Sequence, residues 1–173
     1  MKVLNLGCGD DRRPDTIGCD ISLEAGGADV VCDLDQVPLP FRSGVFDRVI
    51  CQDVIEHVQD IPRTLEEIHR ICKAGARVEI RTPHFTSRDG YADPTHVHHL
   101  AAGSFDFCLE GKRVAGLKSR VRYRLIQRRL SFYRIYRVLG LAALANRFTN
   151  RYEAHWAFLC PAENMHFELE VLK

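Results

Sequence analysis

The chain has 173 residues, a net charge of +1, and 46% hydrophobic against 27% charged residues. That is an ordinary globular composition, long enough for one domain, residues 1–173, to build its own core. No apolar run approaches the ~20 residues of a membrane-spanning helix. The seven cysteines are odd in number and form no C-x-x-C pair, so buried free thiols are expected rather than disulfides or a zinc knot. Met1 already stands at the edge of the first strand, so no signal peptide is expected, and the cytoplasm is the expected compartment.

In chain order, Val3-Leu4-Asn5-Leu6 is a short apolar run closed by Gly7-Cys8-Gly9. It reads as a buried parallel strand ending in a tight turn. Glycines there let the backbone turn sharply and approach a ligand, at the carboxyl edge where open α/β sheets bind one. A dinucleotide fingerprint needs a third glycine, and Arg12 stands in its place; a Walker A lysine is absent too. This disfavours a nucleotide-dependent oxidoreductase. Thr16 to Ile21 and Ala28 to Leu34 predict strands two and three, each with an acid at its carboxyl end, Asp20 and Asp33. Between Gly9 and Asp20 there is room only for a shortened first crossover. Phe46 to Gln52 predicts strand four. Asp60 can cap a helix with Pro62 in its first turn; Leu65, Ile68, Ile71 and Cys72 give its apolar stripe, and Gly75 a stop. Arg77 to Thr82 predicts strand five.

Residues 84–119 break this rhythm and predict a cap over the active edge. Val121, Tyr123 and Leu125 alternate with arginines as a half-exposed strand does. Tyr133 to Phe148 predicts one helix, apolar all round at its centre, and Tyr152 to Leu159 another. Met165 to Leu172 alternates as a last strand. From Gly111 to Tyr152 there is no Asp or Glu among twelve lysines and arginines. Such an asymmetry concerns partners: an anionic acceptor, a peripheral membrane contact through 112–151, or less readily a nucleic acid.

The ordered set Leu4-Asn5-Leu6-Gly7-Cys8-Gly9, Cys19-Asp20, Cys32-Asp33-Leu34, Val45-Phe46-Asp47, Val54-Ile55-Glu56-His57-Val58 and Glu66 to Gly75 resembles class I S-adenosylmethionine-dependent methyltransferases, and within them the small type 11 branch. The resemblance covers about the first half of the chain. It implies a Rossmann-like α/β fold with a mostly parallel seven-stranded sheet whose last strand is antiparallel. It also implies a cofactor site of Gly7, Cys8, Gly9, Asp20 for the ribose, Asp33 and Leu34 for the adenine, and Gln52 and Asp53 beside the methyl donor. A carboxylate accepting from a ribose diol, and an acidic rim around a cationic sulfonium, agree with these roles.

His57 and His84 are the candidate catalytic bases, since transfer to oxygen or nitrogen can require one. His84 and His96 are the candidate acceptor contacts. His84, Asp93, His96, His98 and His99 form a metal-like cluster without a recognised spacing, and no metal is assigned to it. The expected function is methyl transfer to a glycan, a lipid-linked sugar or another small molecule. The alternative is a cofactor-binding module associated with nucleic acid or membrane, with weak or no catalysis.

Overall fold

The computed structural model describes residues 1–24, 26–117 and 119–173. Its strands are β1 (Val3–Leu6), β2 (Thr16–Asp20), β3 (Val30–Val31), β4 (Phe46–Gln52), β5 (Cys72–Pro83), β6 (Arg122–Phe132) and β7 (Ala162–Leu172). They form one sheet in the order β3-β2-β1-β4-β5-β7-β6. All neighbours from β3 to β5 are parallel. β7 runs antiparallel between β5 and β6, so the last strand alone reverses, as the sequence suggests.

Helix α1 (Ile61–Ile71) starts where expected: the Asp60 carboxylate accepts from the Arg63 N–H at 3.0 Å, and Pro62 lies in the first turn. Its stripe of Leu65, Ile68 and Ile71 is fully buried. The helix ends four residues before Gly75, which sits instead in the irregular pairing between Cys72 and Arg77. Strand three is shorter than the expected 28–34. Beyond Val31 the chain turns, because the Asp33 carboxylate accepts from the Asp35 N–H and ends the extended run.

The short crossover is made possible by glycine packing. A Cβ on Gly18 would stand 2.1 Å from the Gly27 carbonyl oxygen, and one on Gly27 would stand 2.4 Å from that of Gly9. Backbone therefore lies directly on backbone, joined by the Gly27 N–H donating to the Gly9 carbonyl at 3.2 Å. Among the described residues no helix separates β1, β2 and β3. One face of β5, β6 and β7 consequently stays polar. There Arg77 and Glu79 sit opposite Glu170 and Glu168, with ion pairs Arg48–Glu79, Arg77–Glu168 and Arg124–Glu170. The other face carries Val78, Ile80, Phe167 and Leu169 into the core.

That core is roofed by α1 and by residues 100–110. Phe105 meets Phe167 edge-on, and the buried Tyr123 hydroxyl donates to the Leu65 carbonyl at 2.7 Å. The expected 84–119 cap is thus divided: residues 100–109 pack into the core, residues 110–117 are mostly exposed, and only residues up to about 99 overhang the edge of the sheet. The expected 133–148 helix is also divided. Gly140, at φ 73°, breaks it into α3 (Arg134–Val138) and α4 (Leu141–Arg147). Another short helix, α5 (Thr149–His155), follows. α2 (Asp89–Ala92) is one turn within the overhang.

Candidate functional site

At the carboxyl edge of β1, β2 and β4 lies a cleft of about 560 Å³. Gly7, Gly9, Asp20, Asp33, Leu34, Asp53 and His57 line it. The Asp20 carboxylate accepts from the Gly9 N–H at 2.8 Å through Oδ2, so the acid after strand two ties down the glycine turn. Its Oδ1 has only a long contact of 3.4 Å with the Ser22 N–H and stays available. Asp33 spends one oxygen on Asp35 N–H and the other on the Gln36 amide. A Cβ on Gly9 would meet nothing within 4 Å, whereas one on Gly7 would collide with Val54. The open side of the turn is therefore at Gly9.

A second cleft of about 730 Å³ adjoins the first, lined by Asp53, Glu56, Arg81, Asp93 and His96 among others. Asp53 belongs to both. It holds φ 51°, a left-handed conformation that Asp tolerates better than most residues. Its carboxylate is paired with both Nε and Nη2 of Arg81, and its N–H donates to the Arg81 carbonyl. Arg81 carried no local signal in the sequence, since its partner is 28 residues away.

Not every expected residue arrives at the clefts. Gln52 accepts from Arg13 and lines a separate groove on the polar face of the sheet with Glu79 and His166; it does not face the cofactor cleft. Cys8 turns its thiol inward, where burial pushes its pKa up, so it belongs to the turn through its backbone. His84 is fully buried. The Thr86 N–H donates to its Nδ1, so the ring proton is on Nε2 and is donated to Glu153 at 3.1 Å. Both nitrogens are occupied, so the free nitrogen that a base or an acceptor contact requires is missing. His57 retains one, because its Nδ1 faces the Thr95 carbonyl at 3.2 Å. Of the metal-like sequence cluster, only His96 joins a ligating group among the described residues, and it joins Glu56 and His57.

Residues 4–80 match the family model described as a methyltransferase domain, type 11. The matched stretch is a little under half of the chain and holds the glycine turn and both strand-end acids. No curated protein matches the sequence. Solved structures match along almost the whole chain. An S-adenosylmethionine-dependent methyltransferase from Archaeoglobus fulgidus is 18% identical with a TM-score of 0.60, covering 98% of this chain and 85% of its own. A putative methyltransferase from Haloferax volcanii, solved with the Trm112 activator, is 16% identical with a TM-score of 0.60, covering 99% and 83%. The [4+2]-cyclase SpnF is 12% identical with a TM-score of 0.56, covering 99% and 75%. These likenesses concern the fold, and the cyclase among them shows that the fold alone does not fix a reaction.

S-adenosylmethionine, named for the Archaeoglobus fulgidus structure, is a cofactor that the residues present here would fit. The cleft is open in front of Gly9, Asp20 keeps a free carboxylate oxygen at the end of β2, and four acids, Asp20, Asp33, Asp35 and Asp53, line the walls for a cation. Among the described residues no helix is long and apolar enough to cross a membrane.

Proposed function

We propose that the protein is an S-adenosylmethionine-dependent methyltransferase that modifies an acceptor entering through the Asp53–His96 cleft, while Gly9, Asp20, Asp33 and Leu34 hold the cofactor. The junction of the two clefts at Asp53 carries this reading. Bound S-adenosylmethionine supplies an activated methyl group on a sulfonium. In this reading Asp20 Oδ1 accepts from the ribose hydroxyls while Oδ2 keeps the glycine turn in place. Asp33 and Leu34 flank the adenine, and Asp53, fixed by Arg81, sets the boundary between donor and acceptor. Holding the acceptor in line supplies much of the rate, and His57 offers a free nitrogen beside it. Asp20→Ala is expected to weaken cofactor binding by about 1.5–3 kcal/mol, roughly 10–150-fold. Calorimetry on both proteins measures this, and equal affinities would remove Asp20 from the site.

A second reading concerns where the acceptor resides. Two of the four arginines of β6 are used internally: Arg124 pairs with Glu110 and Glu170, and Arg128 with Asp106. Among the described residues Arg134, Arg137, Arg147 and Arg151 form no ion pair. They stand among exposed apolar side chains, with Val138 74% and Phe158 79% exposed, and Ile135, Leu139, Leu144 and Trp156 also outside the core. Phe158 stacks edge-on with Phe85, so this apolar and basic surface abuts the overhang. An anionic membrane surface bearing a lipid-linked acceptor satisfies both properties. Binding to anionic liposomes is expected at low salt, fading as the screening length falls from ~10 Å at 0.1 M to ~3 Å at 1 M. Sedimentation with anionic and neutral liposomes tests it; indifference to lipid charge and salt, or equal retention by DNA, would defeat it.

A further inference from the structure

Three ligating side chains converge where the two clefts meet. One ring nitrogen each of His57 and His96 and one carboxylate oxygen of Glu56 lie within 4.8 Å of one another. The Glu56 side chain is 1% exposed and that of His96 8%. Among the described residues neither oxygen of Glu56 has a hydrogen-bond partner. Buried polar groups are nearly always paired, and an unpaired carboxylate is among the most costly to bury. A cation seated on the carboxylate removes that cost.

The histidines are already set for ligation. Nδ1 of His96 stands 3.3 Å from the Gly90 carbonyl, and Nδ1 of His57 stands 3.2 Å from that of Thr95. A carbonyl can only accept, so Nδ1 carries the proton in both rings and Nε2 keeps the lone pair. Backbone carbonyls hold metal-binding imidazoles in this way. Nε2 of His96 is 3.9 Å from Oε1 of Glu56. The loop that brings His96 is fastened to Glu56 itself, since the N–H groups of Val97 and His98 both donate to the Glu56 carbonyl.

We infer that Glu56, His57 and His96 bind one divalent transition-metal ion at the junction of the cofactor and acceptor clefts. The inference rests on the reading that the acceptor enters there, and it adds a Lewis acid to that site. Two imidazoles and one carboxylate are the donor set of catalytic zinc and of non-haem iron. Magnesium and calcium prefer oxygen ligands throughout. Ligands about 2.0–2.1 Å from a tetrahedral ion stand roughly 3.3 Å apart, so binding draws the set inward by about an ångström. His57 can make that movement, because it hangs on the exposed Thr95 turn. The open coordination positions face the acceptor cleft. A hydroxyl bound there loses its proton more readily, and His57 then serves as a ligand rather than as the base.

The test uses the full chain made without an affinity tag and stripped by a chelator. Zn²⁺ is titrated by calorimetry, and Co²⁺ by visible absorption. The expected result is one equivalent of each, with affinity reduced roughly 10–100-fold or more in Glu56→Gln and His96→Ala. Both variants should melt cooperatively and bind S-adenosylmethionine as the wild type does, which excludes misfolding as the cause. Absence of stoichiometric uptake by the wild type, or equal uptake by all three proteins, overturns the metal site. Neither result touches the cofactor assignment, which Asp20→Ala tests separately; retention of the metal by Asp20→Ala is the outcome expected of two independent sites.

Discussion

Gly7→Ala is expected to lower the unfolding free energy by about 3 kcal/mol, and Gly9→Ala by only about 1 kcal/mol. Both residues have positive φ, 62° and 49°, so a side chain at either carries the left-handed penalty of about 1–2 kcal/mol. They differ in what a methyl group would meet. At Gly7 it would fall 2.2 Å from Cγ2 and 2.6 Å from Cβ of Val54, which adds an overpacking cost of about 1–3 kcal/mol. Val54 is next to Asp53 and two residues before Glu56, so the push is transmitted to the loop that shapes both clefts. At Gly9 nothing lies within 4 Å, and the methyl projects into the space assigned to the cofactor. Gly9→Ala is therefore expected to reduce S-adenosylmethionine affinity more than stability. Urea unfolding gives the first quantity and calorimetry the second. Equal stability losses for the two variants would show that the turn is not packed as described.

The two glycines illustrate which parts of the molecule could be read in advance. Val3 to Leu6 and Val49 to Cys51 are written as apolar runs because a parallel strand is buried on both sides. Their order, with Asp20 and Asp33 following strands two and three, points to the sheet edge at which the cleft lies. The sequence also marks Asp60 and Pro62 as a helix start, which depends on local chemistry alone. What escaped notice depends on long-range approach. Gly18, Gly27 and Gly9 stack backbone to backbone, and nothing in their local sequence distinguishes them from turn glycines. Arg81 is recruited by Asp53, and Thr95 by His57 across 38 residues. Glu56 reads as one acid just past the end of strand four, yet among the described residues it is the unpartnered carboxylate at the centre of the junction.

The apolar run around Gly140 misled in the other direction. An all-round apolar segment implies burial, but the glycine breaks it and leaves Val138 and Leu139 exposed. A glycine inside a helix, at about 1 kcal/mol against alanine, was the available signal. The polar face of β5 and β7 has a related cause. With helices missing between the first strands, Arg77, Glu79, Glu168 and Glu170 answer one another across the sheet where a second helical layer would require apolar side chains. The alternation in Met165 to Leu172 records this, since only one face of the strand is apolar.

His84→Ala is expected to destabilise the fold by about 2–3 kcal/mol, the range for losing a buried hydrogen bond to a charged group. His84 lies at the end of β5 and joins three parts of the chain. The Ala162 N–H donates to the Thr86 hydroxyl at 3.1 Å, and that hydroxyl is 2.7 Å from Nδ1 of His84. On the other side Nε2–H donates to Glu153 of α5, whose same oxygen accepts from the Ala102 N–H at 2.7 Å. Burial pushes the Glu153 pKa up, but His84, the Ala102 N–H and Arg128 together outweigh it and hold the carboxyl below its usual value of about 4.5. A depressed carboxylate contributes stability that is present above the unfolded value and is lost as pH falls through the folded one. Without His84 the burial remains while its largest counterweight is gone, so the Glu153 pKa rises in the variant. The gap in unfolding free energy between wild type and His84→Ala is accordingly expected to be widest at neutral pH and to narrow below about pH 4.5. Urea unfolding at a series of pH values measures it. A gap that stays constant into the acid range would show that His84 acts by packing alone. Undiminished stability together with a large loss of turnover would return His84 to the chemistry of the acceptor.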